Sequence, residues 1–153
     1  MSHDNPRSTA KVAGHPIHPM LVPVPIVCFV GTLVTDLAYW HTANVQWANF
    51  SAWLLSVGLV ISIFVVLAGV IDFFGDRRIR RLRPAWIHAF GNAVALVLAI
   101  VNAFVHSRDA YTSVVPEGLI LSALVVLILL VTGWNGWDMV YRHRVGVQPE
   151  NRA

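Results

Sequence analysis

The stretch GHPIHPMLVPVPIVCFVGTLVTDLAYW, residues 14–40, joins two histidines that each precede a proline to the first long apolar run of the chain. Proline lacks an N–H and biases the residue before it toward extended conformations. We therefore expect His15 and His18 to lie on a rigid, non-helical lead-in, directly before a helix that begins near Met20. The same stretch places an acidic residue, Asp36, deep in an otherwise apolar segment.

The composition is that of a membrane protein. Of the 153 residues, 56% are hydrophobic and only 12% are charged, whereas soluble domains have about 25% charged residues. In a soluble chain, a formal net charge of +3 would indicate nucleic acid as a binding partner. Here the basic residues lie beside the apolar runs, where they set the orientation of the chain in the membrane. We therefore exclude nucleic acid as a partner, and the single cysteine, Cys28, excludes an intrachain disulfide.

Four apolar runs approach or exceed the roughly 20 residues that a helix needs to cross a bilayer. They are residues 20–40, 51–74, 85–106 and 118–141. Because lipid offers no hydrogen-bond partners, each run must satisfy its own backbone groups as a helix. Short links then predict an all-α integral membrane fold, an antiparallel bundle of four transmembrane helices. The predicted organisation is a lead-in over residues 1–19, a helical domain over 20–141 and a tail over 142–153.

The arginines are distributed unevenly among the links. Three follow residue 141, and only Arg108 lies in the first or third link. Five lie between the second and third runs, namely Arg77, Arg78, Arg80, Arg81 and Arg83. Under the positive-inside rule, both termini and this arginine-rich link face the cytoplasm. The sequence therefore predicts a multi-pass protein of the bacterial inner membrane, in contact with the lipid bilayer.

Small and polar residues recur along one face of three runs, which marks faces that contact other helices in lipid. In the third run this seam is His88, Asn92, Ala95, Ala99, Asn102 and His106. The second run has Gly58, Ser62, Val65, Gly69 and Asp72, and the fourth has Ser122, Val126, Leu129, Gly133 and Gly136. The first and third runs also begin and end near a histidine, which indicates a parallel repeat about the membrane normal.

Five polar residues fall toward the cytoplasmic end of the runs: His15, His18, Asp72, His88 and Asn92. Three interpretations are open. Facing imidazoles from two segments can ligate haem iron axially, with seam glycines making room for the ring and nearby arginines pairing with its propionates. Alternatively, His15, His18 and His88 join Asp72 in a zinc or iron site. Third, an aspartate–histidine hydrogen bond satisfies polar groups between helices without any cofactor.

A weaker cluster falls toward the outer end: Asp36, His41, Asn102 and His106. A charge at the bilayer centre costs about 2.5–3.5 kcal/mol, so Asp36 is expected to pair with His106 or Asn102 or to lie near water. His88 and His106 are 18 residues apart, about 27 Å along a helix, and therefore belong to separate sites. A second haem between His41 and His106 is an alternative, but an interfacial position for these histidines is favoured.

With these residues laid out, the chain resembles the prokaryotic membrane-protein family catalogued as domain of unknown function 2231. The resemblance covers about residues 14–148 and rests on residues 14–19, Asp36, residues 69–72, His88, Asn92 and the closing residues 140–147. It implies four transmembrane spans, and the fusion of some relatives to Rieske-type modules implies electron transfer. Relatives often carry a further histidine where this chain has Pro23, which implies an altered inner site if that histidine is a ligand.

We therefore predict a b-type haem protein, with His88 as one axial ligand and His15 or His18 as the other, that is an electron carrier or accessory subunit rather than an enzyme. Its expected partners are a quinone or a redox protein, and a homo-oligomer is compatible with the sequence. The alternatives are a non-catalytic membrane scaffold or assembly subunit, and a metal- or proton-handling protein that uses Asp72 and the histidines. The sequence contains no Gly-rich phosphate loop or nucleophile elbow that indicates nucleotide binding or hydrolysis.

Overall fold

The structure, a computed structural model, describes residues 5–108 and 114–147. A minimal antiparallel hairpin pairs β1, Lys11–Val12, with β2, His15–Pro16. The helices that follow are α1 (Ile17–Leu21), α2 (Pro23–Thr42), α3 (Val45–Gly75), α4 (Arg77–Arg80), α5 (Arg83–His106) and α6 (Glu117–Tyr141). The outermost parts of the predicted lead-in and tail, residues 1–4 and 148–153, lie outside the described residues.

Four helical segments are long and apolar enough to cross a membrane, which confirms the predicted number of spans. They are Ile17–Thr42, Val45–Gly75, Arg83–His106 and Glu117–Tyr141, with 26, 31, 24 and 25 residues. Many large apolar side chains on these segments are exposed, as Ile63 on α3 and Phe104 on α5 are. This outward apolar surface is what a helix in contact with lipid tails presents.

The second span begins earlier than the sequence pattern predicts, at Val45 rather than at residue 51. Ala43 ends α2 in the left-handed conformation, with a φ of 53°. The side chain of Asn44 then accepts a hydrogen bond from the backbone N–H of Gln46 at 3.0 Å, as a good N-cap residue does. The link is therefore only two residues long, and it makes α2 and α3 a tight antiparallel pair.

The lead-in is extended at only one of its two histidines. His15 lies in β2 opposite Val12, but His18 lies in α1, so the expected non-helical position is wrong for His18. Pro16 is the N-cap of α1 and Pro19 falls in its first turn, where a missing N–H breaks no helical hydrogen bond. The short helix packs on α3 and carries His18 toward it.

The bundle consists of two antiparallel pairs. α2 packs chiefly on α3, α5 packs chiefly on α6, and contacts of α2 with α6 and of α3 with α5 close the bundle. Each long helix contributes one side chain to the buried middle: Phe29, Leu55, Ala99 and Val125. The fold is the predicted antiparallel four-helix bundle.

Both described ends of the chain meet at one end of this bundle. The backbone N–H of Gly146 donates to the Pro6 carbonyl at 2.9 Å, and the Asn5 side chain donates to the Val147 carbonyl at 3.1 Å. We call this end, formed by residues 5–16, α4 and residues 142–147, the arginine-rich end. The opposite end is formed by the α2–α3 link and the described parts of the α5–α6 link.

Candidate functional site

Two of the predicted histidines meet in the half of the bundle nearer the arginine-rich end. His18 of α1 and His88 of α5 have ring centroids 6.1 Å apart and ring planes at 76° to each other. They come from the two different helix pairs, and both rings are half-buried. The structure therefore brings together one histidine of the lead-in and the histidine at the start of the third span.

The same contact orients each ring. Nδ1 of His18 lies 3.0 Å from the Val65 carbonyl of α3, and Nδ1 of His88 lies 2.9 Å from the Thr132 carbonyl of α6. A carbonyl oxygen only accepts, so Nδ1 carries the proton in both rings. When the ring is neutral, Nε2 is then the nitrogen with a free lone pair. Within residues 5–108 and 114–147, neither Nε2 has a hydrogen-bond partner.

A glycine lies behind each ring. A Cβ atom at Gly69 would lie 3.1 Å from the Cε1 and Nδ1 atoms of His18, and one at Gly136 would lie 3.2 Å from Cε1 of His88. Each glycine is one helical turn beyond the carbonyl that binds the ring, so histidine, carbonyl and glycine form the same unit twice. The two rings therefore have equivalent surroundings, one on each helix pair, and they face each other.

Both rings border a cavity of about 660 Å³, within the range of about 300–1,000 Å³ typical of cofactor and small-molecule sites. The lining is almost entirely apolar, with aromatic rings such as Phe29, Phe73 and Trp86. Asn92 also lines it, but its side chain donates to the His88 carbonyl at 2.7 Å. The cavity therefore offers an apolar volume with two imidazoles at its wall.

Of the other inner residues, Asp72 and Asn92 line the same cavity, whereas His15 does not. His15 is exposed on β2. In the described part of the chain, no group of three or more His, Cys, Asp or Glu side chains is arranged to hold a metal ion. The expected zinc or iron set of His15, His18, His88 and Asp72 is therefore not assembled, because the lead-in turns His15 to the surface and Asp72 binds other groups.

Asp72 binds the N-terminal segment instead of a histidine. Its carboxylate accepts hydrogen bonds from the backbone N–H groups of Thr9 and Ala10, at 2.6 and 2.7 Å, and from the Ser8 hydroxyl at 2.9 Å. The aspartate–histidine hydrogen bond expected for Asp72, with His88 or one of the leading histidines, is thus absent, and its place is taken by two backbone N–H groups and the Ser8 hydroxyl. These contacts hold residues 5–16 over the end of α3.

A second carboxylate, Asp76, continues this attachment between α3 and α4. It accepts from the backbone N–H of Arg7 at 2.9 Å and from that of Arg78 at 2.8 Å. Burial alone would raise the pKa of the Asp76 carboxyl, but these two hydrogen bonds and the positive charges of Arg78 and Arg7 outweigh it, so the pKa lies below its ordinary value. The negative form of Asp76 is the one that the fold stabilises.

Arg80 stands beside the cavity at the arginine-rich end. Its guanidinium carbon lies 5.6 Å from the centre of the Phe74 ring, which lines the cavity. Its Nε atom is buried and has no hydrogen-bond partner in the described structure. A buried donor without a partner is costly, but Arg80 is not among the residues that line the cavity.

The outer cluster, which the sequence indicated only weakly, is a connected set of hydrogen bonds. Nε2 of His106 lies 2.9 Å from Oδ1 of Asp36, and the Ser122 hydroxyl donates to Oδ2 at 2.6 Å. Asn102 donates to Ser122 Oγ at 2.8 Å. The expected pairing of Asp36 with His106 is thus present, but the favoured interfacial position of His106 is wrong, since its side chain is only 1% exposed.

His41 does not belong to the outer cluster. It is exposed in the last turn of α2, and Nδ1 of His106 lies 3.0 Å from the Asn102 carbonyl while Nε2 faces Asp36. Both ring nitrogens of His106 are therefore engaged. A second haem between His41 and His106 does not fit this arrangement, because neither nitrogen of His106 is free to bind iron.

Two residues of these sites were missed as partners. Thr132 supplies the carbonyl that orients His88, whereas the predicted contact face of the fourth run includes its neighbour Gly133 instead. Ser122 was placed on that seam only as a small residue, yet it hydrogen-bonds Asp36. Both residues carry a hydroxyl group on the buried face of an apolar helix. This is the sequence signal that could have identified them, because such hydroxyl groups commonly form hydrogen bonds across helices in lipid.

A protein family described as "Predicted membrane protein (DUF2231)" matches residues 14–149 of the chain. The matched residues include every helix and both histidine–glycine units, whereas Ser8, Thr9 and Ala10, which bind Asp72, precede them. No curated protein and no solved structure matches the chain. The site is therefore interpreted from its own geometry.

Proposed function

The chain belongs to the family described as predicted membrane protein DUF2231, and we propose that it binds one b-type haem between His18 and His88 and carries electrons within the membrane. The observation that carries this proposal is the meeting of these two rings, with centroids 6.1 Å apart. Two imidazoles on opposite sides of one metal ion, with metal–nitrogen bonds of about 2.0 Å, have centroids about 6 Å apart.

The hydrogen bonds of the two rings support the same function. Histidines that bind metal ions almost always donate their other ring N–H to a carbonyl, carboxylate or water, which fixes the ring and raises the basicity of the ligating nitrogen. The Val65 and Thr132 carbonyls accept from His18 and His88 in this way. The chain thereby holds both Nε2 lone pairs ready for an axial ligand role.

Bound haem supplies a one-electron couple whose potential depends on its axial ligands and surroundings. The lining of the cavity is almost entirely apolar, and such surroundings help to set that potential. Pro23 replaces a histidine common in relatives, but His18 and His88 already provide two axial ligands. The donor set of this chain therefore fits haem without a further histidine.

We also propose an orientation of the protein in the membrane. With the arginine-rich end in the cytoplasm of a bacterium, the positive-inside rule is satisfied and both termini are cytoplasmic. The haem then lies nearer the cytoplasmic side, within reach of a membrane quinone or of a redox protein at that surface. A carrier in this position passes single electrons between such partners.

The test is an absorption spectrum of the detergent-purified protein, oxidised and then dithionite-reduced, with the ratio of haem to protein. We expect one haem per chain and sharp reduced bands in the wild type, and loss of most haem in His18→Ala and in His88→Ala. His15→Ala is the matched control, because the exposed His15 ring is outside the cavity, and it should load normally. Size-exclusion profiles identify variants that have lost the fold.

Three results would overturn the proposal. One is a wild-type protein that stays colourless after expression with a haem precursor, which would favour a scaffold whose histidines only tie helices together. A second is a protein that contains haem in the same ratio after His18→Ala and His88→Ala. Bound metal without a Soret band would likewise replace haem with another cofactor.

A further inference from the structure

The outer cluster, with Asp36, Asn102 and His106, lies in the other half of the bundle. Its hydrogen bonds determine how many protons the Asp36–His106 pair holds. Nδ1 of His106 faces the Asn102 carbonyl at 3.0 Å, and a carbonyl cannot donate, so Nδ1 carries a proton. Nε2 faces Asp36 Oδ1 at 2.9 Å. A hydrogen bond between these two atoms requires one further proton, on either the imidazole or the carboxyl group. The pair is then neutral overall, and without that proton it has a net charge of −1.

Among the described residues, no other charged group pairs with Asp36. In the described part of α3 that faces this cluster, only the Ser51 hydroxyl approaches, and it binds Thr35 at 2.7 Å. The titratable groups of the surrounding helices at this end are Tyr39 and His41 on α2, Arg108 after α5 and Glu117 on α6. Arg108 and Glu117 are exposed and pair with each other at 2.7 Å. The shared proton is therefore the counter-charge of the carboxylate.

One atom of the cluster lacks a partner. Asn102 is 0% exposed, and its Oδ1 is buried without a hydrogen-bond donor among the described residues. Its amide N–H already donates to Ser122, which donates in turn to Asp36. The Oδ1 atom is therefore an unused acceptor at one end of the hydrogen-bonded chain that leads through Ser122 to Asp36.

From these three observations we propose that Asp36 and His106 form a proton-binding site, which takes up and releases one proton between Asp36 Oδ1 and His106 Nε2. A metal cation is a poor fit, because both carboxylate oxygens already accept hydrogen bonds. Release leaves an uncompensated charge on a residue that is 0% exposed, which is costly in lipid. The site is distinct from the haem cavity and does not depend on it.

The test is nuclear magnetic resonance of the full-length protein in detergent, with ¹⁵N in its histidine rings, over the whole pH range in which the protein stays folded. The His106 signals are identified by their absence in His106→Gln. We expect a single one-proton step in these signals in the wild type. Asp36→Asn should abolish the step, because its amide N–H can replace the shared proton as the donor to Nε2. Ser122→Ala retains both titrating groups, and the step should persist in it.

The proposal is overturned if the wild-type His106 signals show no step, or if the step remains in Asp36→Asn. The first of these results is obtained from the wild type alone and does not require that any variant fold. Failure of haem binding leaves this experiment unaffected, since the same samples can be prepared without haem.

Discussion

Each histidine ring that borders the cavity lies against a glycine. Replacement of that glycine by alanine adds a methyl group that contacts the ring. A Cβ atom at Gly69 would lie 3.1 Å from the His18 ring, so the ring has to move by a few tenths of an ångström. The same holds at Gly136 and His88. Movement of either ring weakens its bond to the carbonyl and displaces Nε2.

We therefore expect Gly69→Ala and Gly136→Ala to lower haem affinity about tenfold, the lower range for groups that orient a metal ligand. Val131→Ala is the matched control on α6, because Val131 is exposed and does not line the cavity. Haem titration of the three purified variants measures the effect. Equal affinity in all three would show that the glycines do not position the rings.

At the scale of elements, the N-terminal segment is attached to α3 and α4 by contacts that the hydropathy pattern of the helices does not predict. Residues 5–16 bind α3 through the carboxylate of Asp72 and bind the start of α4 through Asp76. Gly75 contacts Thr9 so closely that a side chain there has no room. The segment therefore covers the arginine-rich end of the bundle, near the cavity.

The lowered pKa of Asp76 predicts a pH dependence for this attachment. Since the folded-state pKa lies below the unfolded value of about 3.9, the carboxylate stabilises the fold above that pH, and this contribution is lost as the pH falls through the folded-state pKa. We expect the wild type to melt at a higher temperature than Asp76→Asn near neutral pH, and the difference to narrow on acidification. A difference that stays constant down to about pH 3 would contradict this origin.

The helices show what the sequence can predict and what it cannot. Hydropathy placed all four spans, and the seam of small and polar residues on α5 is buried at Ala95, Ala99, Asn102 and His106. On α6 the predicted seam is buried at Ser122, but further along the helix Val125 and Thr132 are buried rather than Val126 and Gly133. A rule based on small residues favours glycine, but packing against α2 and α5 selects which face of the helix turns inward.

Partners across the bundle depend on the whole molecule, because no spacing within one helix specifies which residues of another will meet it. Asp36 and His106 were expected to pair, yet Asp72 was assigned a histidine and binds backbone N–H groups instead. The duplicated histidine–glycine unit relates the two helix pairs. It explains why His18 and His88, far apart in the chain, face one cavity.

The orientation of the whole molecule gives a further prediction. In a Cys28→Ala background, a Ser107→Cys variant should react with a membrane-impermeant maleimide added to intact cells, whereas an Arg81→Cys variant should react only after permeabilisation. Both positions are exposed and lie at opposite ends of the bundle. The reverse pattern would place the arginine-rich end outside the cytoplasm and contradict the positive-inside assignment.

The electron paramagnetic resonance spectrum of the oxidised, haem-loaded wild-type protein examines the coordination of the iron itself. Two axial imidazoles with nearly perpendicular planes give low-spin ferric iron with a strongly anisotropic g tensor, and the 76° between the rings of His18 and His88 predicts such a signal. A high-spin ferric signal, which indicates that an axial ligand is missing, would contradict ligation by both histidines, and so would a protein that takes up no haem.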